Sequence, residues 1–256
     1  MSTRSETFPG ASAVNVTTTS DPITIDTTTG GPIVVTLVPE VPGDQHAEER
    51  IRRAEVRASG STVIVDVPAN TGGGNVSSGG GVVVIGDGNI VSGSDIVAIQ
   101  GNIVSGANVV QTFSGSFRSG GDMHFGRGSG TVIGGNAGDG GVRVLISAPS
   151  GADVAARTTS GSITHRGTAG AARVESVSGA IRMDTITGRA SLETTSGKVS
   201  VGSLAGGGRV ETVSGAAMVH VPADGSPVAV ETVSGAITRS GAAHLIAASS
   251  VSGRIR

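Results

Sequence analysis

The feature that most restricts this chain is a spacing. Ser-Gly pairs stand at Ser160-Gly161, Ser178-Gly179, Ser196-Gly197, Ser214-Gly215, Ser234-Gly235 and Ser252-Gly253, in steps of 18, 18, 18, 20 and 18 residues. A half-repeat of nine lies inside, because glycine occupies 161, 170, 179, 188, 197, 206 and 215 without a miss. Nine residues are too few for a helix with its turns, but they suit a strand of about five residues and a tight turn. Two residues after each glycine come Ile163, Ala172, Ile181, Ala190 and Val199; four after come His165, Val174, Met183, Leu192, Val201, Val210 and Val219. Seven after come Val177, Ile186, Leu204 and Val213. Positions two and four alternate with polar residues, the signature of a strand with one buried face. The apolar residues of all three positions are expected in the core, and the glycines are expected at positive φ, where a Cβ costs roughly 1–2 kcal/mol.

Two strands and two turns per 18 residues make one coil. Like residues then stack on like, about 4.8 Å apart. The expected fold class is all-β: a parallel β-solenoid with two strands per 18-residue coil, preceded by an irregular N-terminal β region. Ile181, Met183, Leu192 and Val201 belong inside, each contributing roughly 1.5–3 kcal/mol on burial. Composition agrees. Glycine is 43 of 256 residues, which penalises helix interiors, and aromatics are 2%, which suits a small aliphatic interior.

Three regions differ in texture. Residues 1–69 hold short strands, Val14-Val16, Ile23-Ile25, Ile33-Val38, Val56-Ala58 and Val63-Val67, interrupted by the charged stretch Asp44 to Arg57. That stretch reads as a short amphipathic helix or a charged loop. Arg50, Arg52, Arg53 and Arg57 could form a basic patch, but Glu48, Glu49 and Glu55 among them favour a solvated face. Residues 70–141 are a glycine-rich insertion, either flexible or β-helical. GNIVSG occurs twice, at 88–93 and 101–106, and apolar pairs recur at Ile90-Val91, Ile96-Val97, Ile103-Val104 and Val109-Val110. Residues 142–256 are the repeat domain. Proline follows a strand at Val67-Pro68, Ala148-Pro149 and Val221-Pro222, and the last lies in the one 20-residue step, so it widens that turn.

The phrases VESVSGAIRMDTITG, LETTSGKVSVGSLAG and VETVSGAITRSG, with the entry VRVLISAPSGADVAARTTSG, resemble a bacterial family of β-strand-repeat proteins labelled "putative adhesin", within a domain of unknown function. The likeness covers roughly 142–256 and extends to the strands of 8–69. It implies a parallel β-solenoid and brings no catalytic motif.

The chemistry-bearing residues are sparse. No HExxH occurs, and no histidine has a second histidine three or four residues away. His165 is expected inward, as a partly buried cap residue. GGNAGDGGV at 134–142 is similar to a calcium nonapeptide but lacks a needed glycine at Ala137 and an apolar residue at Gly141. The absence of cysteine removes disulfides and thiol chemistry. The Ser-Gly pairs recur as equivalent turns, so they read as structure rather than as nucleophile elbows. No catalytic residue, metal site or cofactor is expected. The one patterned charge is a column. Glu175, Glu193, Glu211 and Glu231 each lie four residues before a repeat glycine. Carboxylates at coil spacing repel by about 0.9 kcal/mol per neighbour even in water. Arg173 and Arg209, two residues earlier, offset part of that. The column is an Arg-relieved solvated face or a strip for a cation or basic partner.

The expected function is a non-enzymatic binding or adhesion-type module, or a structural one, for an unknown protein or glycan ligand. A self-assembling intracellular scaffold is the alternative, and a polysaccharide-active β-helix enzyme the more distant one. A net charge of -2 argues against nucleic acid, and no apolar run is long enough for a membrane span. MSTRSETFPG has no apolar signal core, so the expected location is the cytoplasm, with cell-surface association the alternative. Arg254 and Arg256 flank Ile255, expected inward, and guard an edge, so a monomer is favoured over edge-mediated self-association.

Overall fold

The computed structural model describes residues 3–28, 30–69 and 140–256, together with six short strands between 70 and 139. The N-terminal elements are β1 (Arg4–Phe8), β2 (Ala13–Thr17), β3 (Ile23–Thr27), β4 (Ile33–Pro39), α1 (Gln45–Arg53), β5 (Glu55–Ser59) and β6 (Thr62–Asp66). The six short strands are β7 (Ser77–Ser78), β8 (Val82–Ile85), β9 (Ile90–Ser92), β10 (Ile96–Ile99), β11 (Ile103–Ser105) and β12 (Val109–Gln111). Then come β13 (Val142–Ser147), β14 (Ala152–Thr158), β15 (Ile163–Ser176), β16 (Ile181–Ile186), β17 (Ala190–Thr194), β18 (Val199–Leu204), β19 (Gly208–Thr212), β20 (Ala217–Val221), β21 (Val228–Thr232), β22 (Ile237–Gly241) and β23 (Ile246–Ser250). The fold is all-β, with α1 the one α-helix among the described residues.

The chain divides into two compact units, Met1–Ala69 with Gly141–Arg256, and Asn70–Gly140. In the first, hydrogen bonds join seventeen strands into one sheet, and the repeat sets the pairing. From β15 to β21 each strand pairs in parallel with the strand two further along, β17 with β19 and β19 with β21, β16 with β18 and β18 with β20. The register follows the spacing: Ile181 sits beside Val199, 18 residues on, and Ala217 beside Ile237, 20 residues on. The two extra residues fall between β20 and β21, at the proline turn. The long β15 bends across both rows. Its first half pairs with β3 and β16, its second with β14 and β17.

The N-terminal strands continue the same rows. β2 lies in parallel between β6 and β14, and β3 in parallel between β13 and β15. β4 pairs antiparallel with β1 and β13, and β5 antiparallel with β6. One apolar cluster runs through both regions, from Val14 and Ile25 to Leu192 and Ile246, and Ile181, Met183, Leu192 and Val201 are all buried in it. In the second unit β8, β10 and β12 pair in parallel, as do β7, β9 and β11. The apolar pairs at 90, 96, 103 and 109 each begin one of these strands. Most of the nonapeptide-like stretch 134–142 lies outside the described residues.

Three expectations are corrected. First, none of the nine-spaced glycines has a positive φ. Their requirement is stacking. A Cβ on Gly179 would overlap the carbonyl oxygen of Gly161, one on Gly197 that of Gly179, and one on Gly215 that of Gly197. Successive repeats therefore touch backbone to backbone at this turn.

Second, Val177 and Val213 are not core. They are 48% and 47% exposed, whereas Ile186 and Leu204, at the same offset in the alternate half-repeat, are fully buried. The two turns of a coil differ. At the Ser-Gly turn a threonine or serine takes the inward place just before, and the valine is turned out.

Third, Arg50 does not lie on a solvated face. Asp44 caps α1 by accepting from the N–H groups of His46 and Ala47, and Ala47, Arg50 and Ile51 are buried. Arg50 makes a two-pronged ion pair with buried Asp21, Nη1 to Oδ1 at 2.8 Å and Nη2 to Oδ2 at 2.5 Å. Its Nε donates to the Pro68 carbonyl, and Asp21 accepts from the Val142 N–H. Arg52, Arg53 and Arg57 remain exposed. Ile255 makes a single parallel bridge to Ile237 and stays 38% exposed, because one paired residue covers little of it.

Candidate functional site

The Ser-Gly turn is built alike from repeat to repeat. Three residues before each glycine, Thr158, Ser176, Thr194, Thr212, Thr232 or Ser250 points inward, and its hydroxyl accepts from that glycine's N–H at 2.8–3.1 Å. This satisfies a donor that would otherwise be orphaned at the turn. One residue before the glycine, from Ser178 on, the serine N–H and hydroxyl both donate to a carbonyl of the preceding repeat, as Ser196 does to Val177 and Ser214 to Thr195. These hydroxyls are spent on the backbone, as a structural ladder requires.

What remains free at the turn is the residue between them. It forms an outward ladder: Thr159, Val177, Thr195, Val213, Val233 and Val251. Val233 is 48% exposed and Val251 82%. Two residues earlier, on the same outward face, runs the charged column. Strand register sets Glu175 beside Glu193, Glu193 beside Glu211, and Glu211 beside Glu231. Arg157 precedes the glutamates, paired in register with Glu175. A groove follows the stack between column and ladder, lined by Arg157, the four glutamates, Val177, Val213, Val233 and Val251.

The arginines are distributed unevenly along this groove. Glu175 is held by Arg157 Nη2 at 2.7 Å and by Arg173 Nε at 3.0 Å. Partial burial opposes its ionisation, but the hydrogen bonds and charges of Arg173 and Arg157 outweigh that and keep its carboxyl below the usual range. Arg209 bridges Glu211 and Glu231, the latter at 2.9 Å. Glu193 is different. It is exposed, it accepts a hydrogen bond from Ser191 Oγ at 3.3 Å, and no arginine among the described residues reaches it. Glu193 is therefore the carboxylate in the groove that no arginine contacts, whereas Glu211 and Glu231 share the single charge of Arg209.

Arg157 and the valine ladder escape a reading by residue type. The signal for the ladder is present: the triplet Val-Ser-Gly occurs at 177–179, 213–215, 233–235 and 251–253. A second, shallower depression lies over β2, β14, β15 and β17, with Ala155, Ala171, Arg173 and Arg189 on its walls. Among the described residues, no three His, Cys, Asp or Glu side chains converge as metal ligands would. No helix among them is long and apolar enough to cross a membrane.

No family model and no curated protein matches the chain. Two solved structures align with it. The crystal structure of a putative adhesin from Bacteroides fragilis NCTC 9343 covers 99% of this chain and 94% of its own, at 10% identity and a TM-score of 0.42. That of a putative adhesin from Parabacteroides distasonis ATCC 8503 covers 100% and 94%, at 8% identity and a TM-score of 0.34. Both values are too low for either likeness to bear on function.

Proposed function

We propose that this chain is a non-enzymatic binding module, a two-strand-per-coil parallel β-solenoid whose groove docks an extended polypeptide segment carrying lysine or arginine beside aliphatic residues. The valine ladder is the observation that supports it. A turn residue facing water gains nothing from being apolar, yet valine fills this place at four coils, and exposed apolar residues in contiguous array mark interaction surfaces. The glutamate column beside it sets the sign of the partner, and Glu193 supplies an unspent charge. The chain has no Tyr or Trp, so the stacking platform on which sugar rings usually rest is missing, and a polypeptide is favoured over a glycan. A glycoside-cleaving role needs one carboxyl with a raised pKa as general acid. Glu175 is shifted the other way, and Glu211 and Glu231 are clasped by Arg209.

Pairing of each strand with the next but one, at an 18-residue register, supports the solenoid reading. The same pattern at closer spacing in β7–β12 supports reading 70–141 as an insertion wound on its own.

Fluorescence anisotropy with a labelled peptide of alternating Lys and Val, against one of alternating Glu and Val, tests the function. The basic peptide should bind at least about tenfold tighter, a difference of about 1.4 kcal/mol, and more weakly as salt rises. Val213→Ser/Val233→Ser should weaken binding of the basic peptide at least about tenfold. Equal binding of both peptides, or a hit confined to a glycan array, would refute it.

A further inference from the structure

His165 is fully buried in the first repeat coil. On its row it sits between Ile25 of β3 and Met183 of β16. Its place is one that the following coils fill with Met183, Val201 and Val219. The hydrogen bonds around it determine its protonation. Thr27 Oγ1 donates its one hydrogen to the Arg166 carbonyl, at 3.0 Å. The same oxygen lies 2.9 Å from His165 Nε2. With its hydrogen committed, Thr27 can only accept there, so Nε2 carries the imidazole proton. Nδ1 is then a bare lone pair, buried and without a partner.

We propose that His165 is a proton-operated release between the N-terminal strands and the repeat, loosening β3 from β15 when the imidazole takes up a second proton. That proton would go to Nδ1, where no acceptor waits, and would place a charge among aliphatic side chains. The formal charges on the flanking strands do not meet it. Asp26 on β3 is engaged by Thr28, at 2.9 and 2.5 Å. Asp184 on β16 accepts from the Gly167 N–H at 3.3 Å. Arg166, Arg182 and Asp184 are exposed, on the strand face opposite to His165. β14 and β17, which pair with the second half of β15, turn Asp153, Arg157 and Glu193 outward. Burial lowers the imidazole's pKa below 6.5, and the attraction of Asp184 and Asp26 only partly opposes this.

The sign follows. Above pH 6.5 neither the closed nor the opened joint binds the second proton, and the joint is at full strength. Below it the opened state, with an ordinary imidazole, binds a proton that the closed state refuses. The open population then rises about tenfold per pH unit until the closed imidazole itself titrates. Opening would bare the facing edges of β3 and β15, which are templates for another strand.

Hydrogen exchange on the full chain at pH 7.5 and 5.0, corrected for intrinsic rates, reads this directly. Ile23–Thr27 and Ile163–Ala169 should exchange at least tenfold faster at pH 5.0 relative to β19 and β21. In His165→Met, which takes the residue used one coil later, the acid effect should vanish. Nitrogen-detected NMR of the wild-type imidazole needs no variant, and should show the Nε2–H tautomer titrating below 6.5. An ordinary titration in the folded protein, or an acid effect of equal size in His165→Met, would overturn the proposal.

Discussion

The repeat coils and the N-terminal strands share one sheet and one core but close their turns by opposite means. From Gly179 onward every repeat uses one device: an inward Thr or Ser hydroxyl on a glycine N–H, with the glycine backbone laid on the glycine of the preceding repeat. The buried polar groups from β17 to β21 are all threonine hydroxyls of this kind. The N-terminal region uses single, unrepeated parts. Asp21 and Arg50 tie α1, the Pro68 carbonyl and the β13 N–H into one buried knot, and His165 meets Thr27 where the two regions join. A repeated device spreads stability over many equal contributions. A unique knot concentrates it.

Breaking the knot should therefore do the most damage. Arg50→Ala leaves the Asp21 carboxylate buried beside an unpaired charge-sized space, and removing one partner of such a pair costs about 3–5 kcal/mol. Urea unfolding should show the midpoint falling with little change in slope. A loss under about 1 kcal/mol would mean that water reaches Asp21 in the folded state. The repeat has its own point of intolerance at the stacked glycines. Gly197→Ala drives a methyl into the Gly179 carbonyl, and overpacking of this sort costs about 1–3 kcal/mol, or more where only backbone can yield. Gly10→Ala is the contrast, because nothing lies within 4 Å of its Cβ position and only its φ of +79° opposes the change, for about 1–2 kcal/mol. If Gly197→Ala were the milder of the two, the account of the repeat glycines as stacking residues would fail.

The same contrast separates what could be read from the sequence. Period and alternation carried the strand register and the buried set of β16–β20, because each coil restates them and an accident in one is outvoted by the others. The errors fall where restatement stops or where residue type misleads. Val177 and Val213 look like core by residue type and by the offset they share with Ile186 and Leu204. Their exposure depends on the residue before them, whose hydroxyl must face inward to reach the glycine N–H, and strand geometry then sends the valine out. The Asp21–Arg50 pair joins residues 29 apart with no motif between them, and only the way β13 enters the sheet between β3 and β4 brings them together. Of the groove, the glutamate column was legible as a constant offset. Its binding character was not, because that rests on which glutamates an arginine reaches.

A smaller effect tests the turn device itself. Thr212→Val keeps the shape of a buried side chain but leaves the Gly215 N–H without its acceptor. An unmet buried donor costs about 1–3 kcal/mol, and the lower half of that range is expected because the other backbone hydrogen bonds of the turn stay in place. Thermal unfolding of the single variant and of Thr194→Val/Thr212→Val would show whether adjacent coils add. A double loss well beyond the sum would mean that the coils support one another's turns, which a column of independent devices does not predict.

The smallest effect on stability is expected at Glu193, and it separates the two kinds of glutamate in the column. Glu175 has Arg157 and Arg173, and its carboxyl is held below the usual range. It favours folding above the ordinary carboxylate value near 4.5, and that favour is lost as the pH falls through its lowered folded value. Glu175→Gln should therefore destabilise the protein at pH 7 and not at pH 2. Glu193 has no arginine and stands between two charged neighbours of its own sign, so removing its charge relieves repulsion. Glu193→Gln should change stability by less than about 0.5 kcal/mol, in the stabilising direction. The same substitution should weaken the Lys and Val peptide measurably, since it takes away the one carboxylate of the column that no arginine contacts. The opposite assignment, with Glu193→Gln destabilising and the peptide unaffected, would make this glutamate part of the scaffold and leave the valine ladder alone to hold the partner.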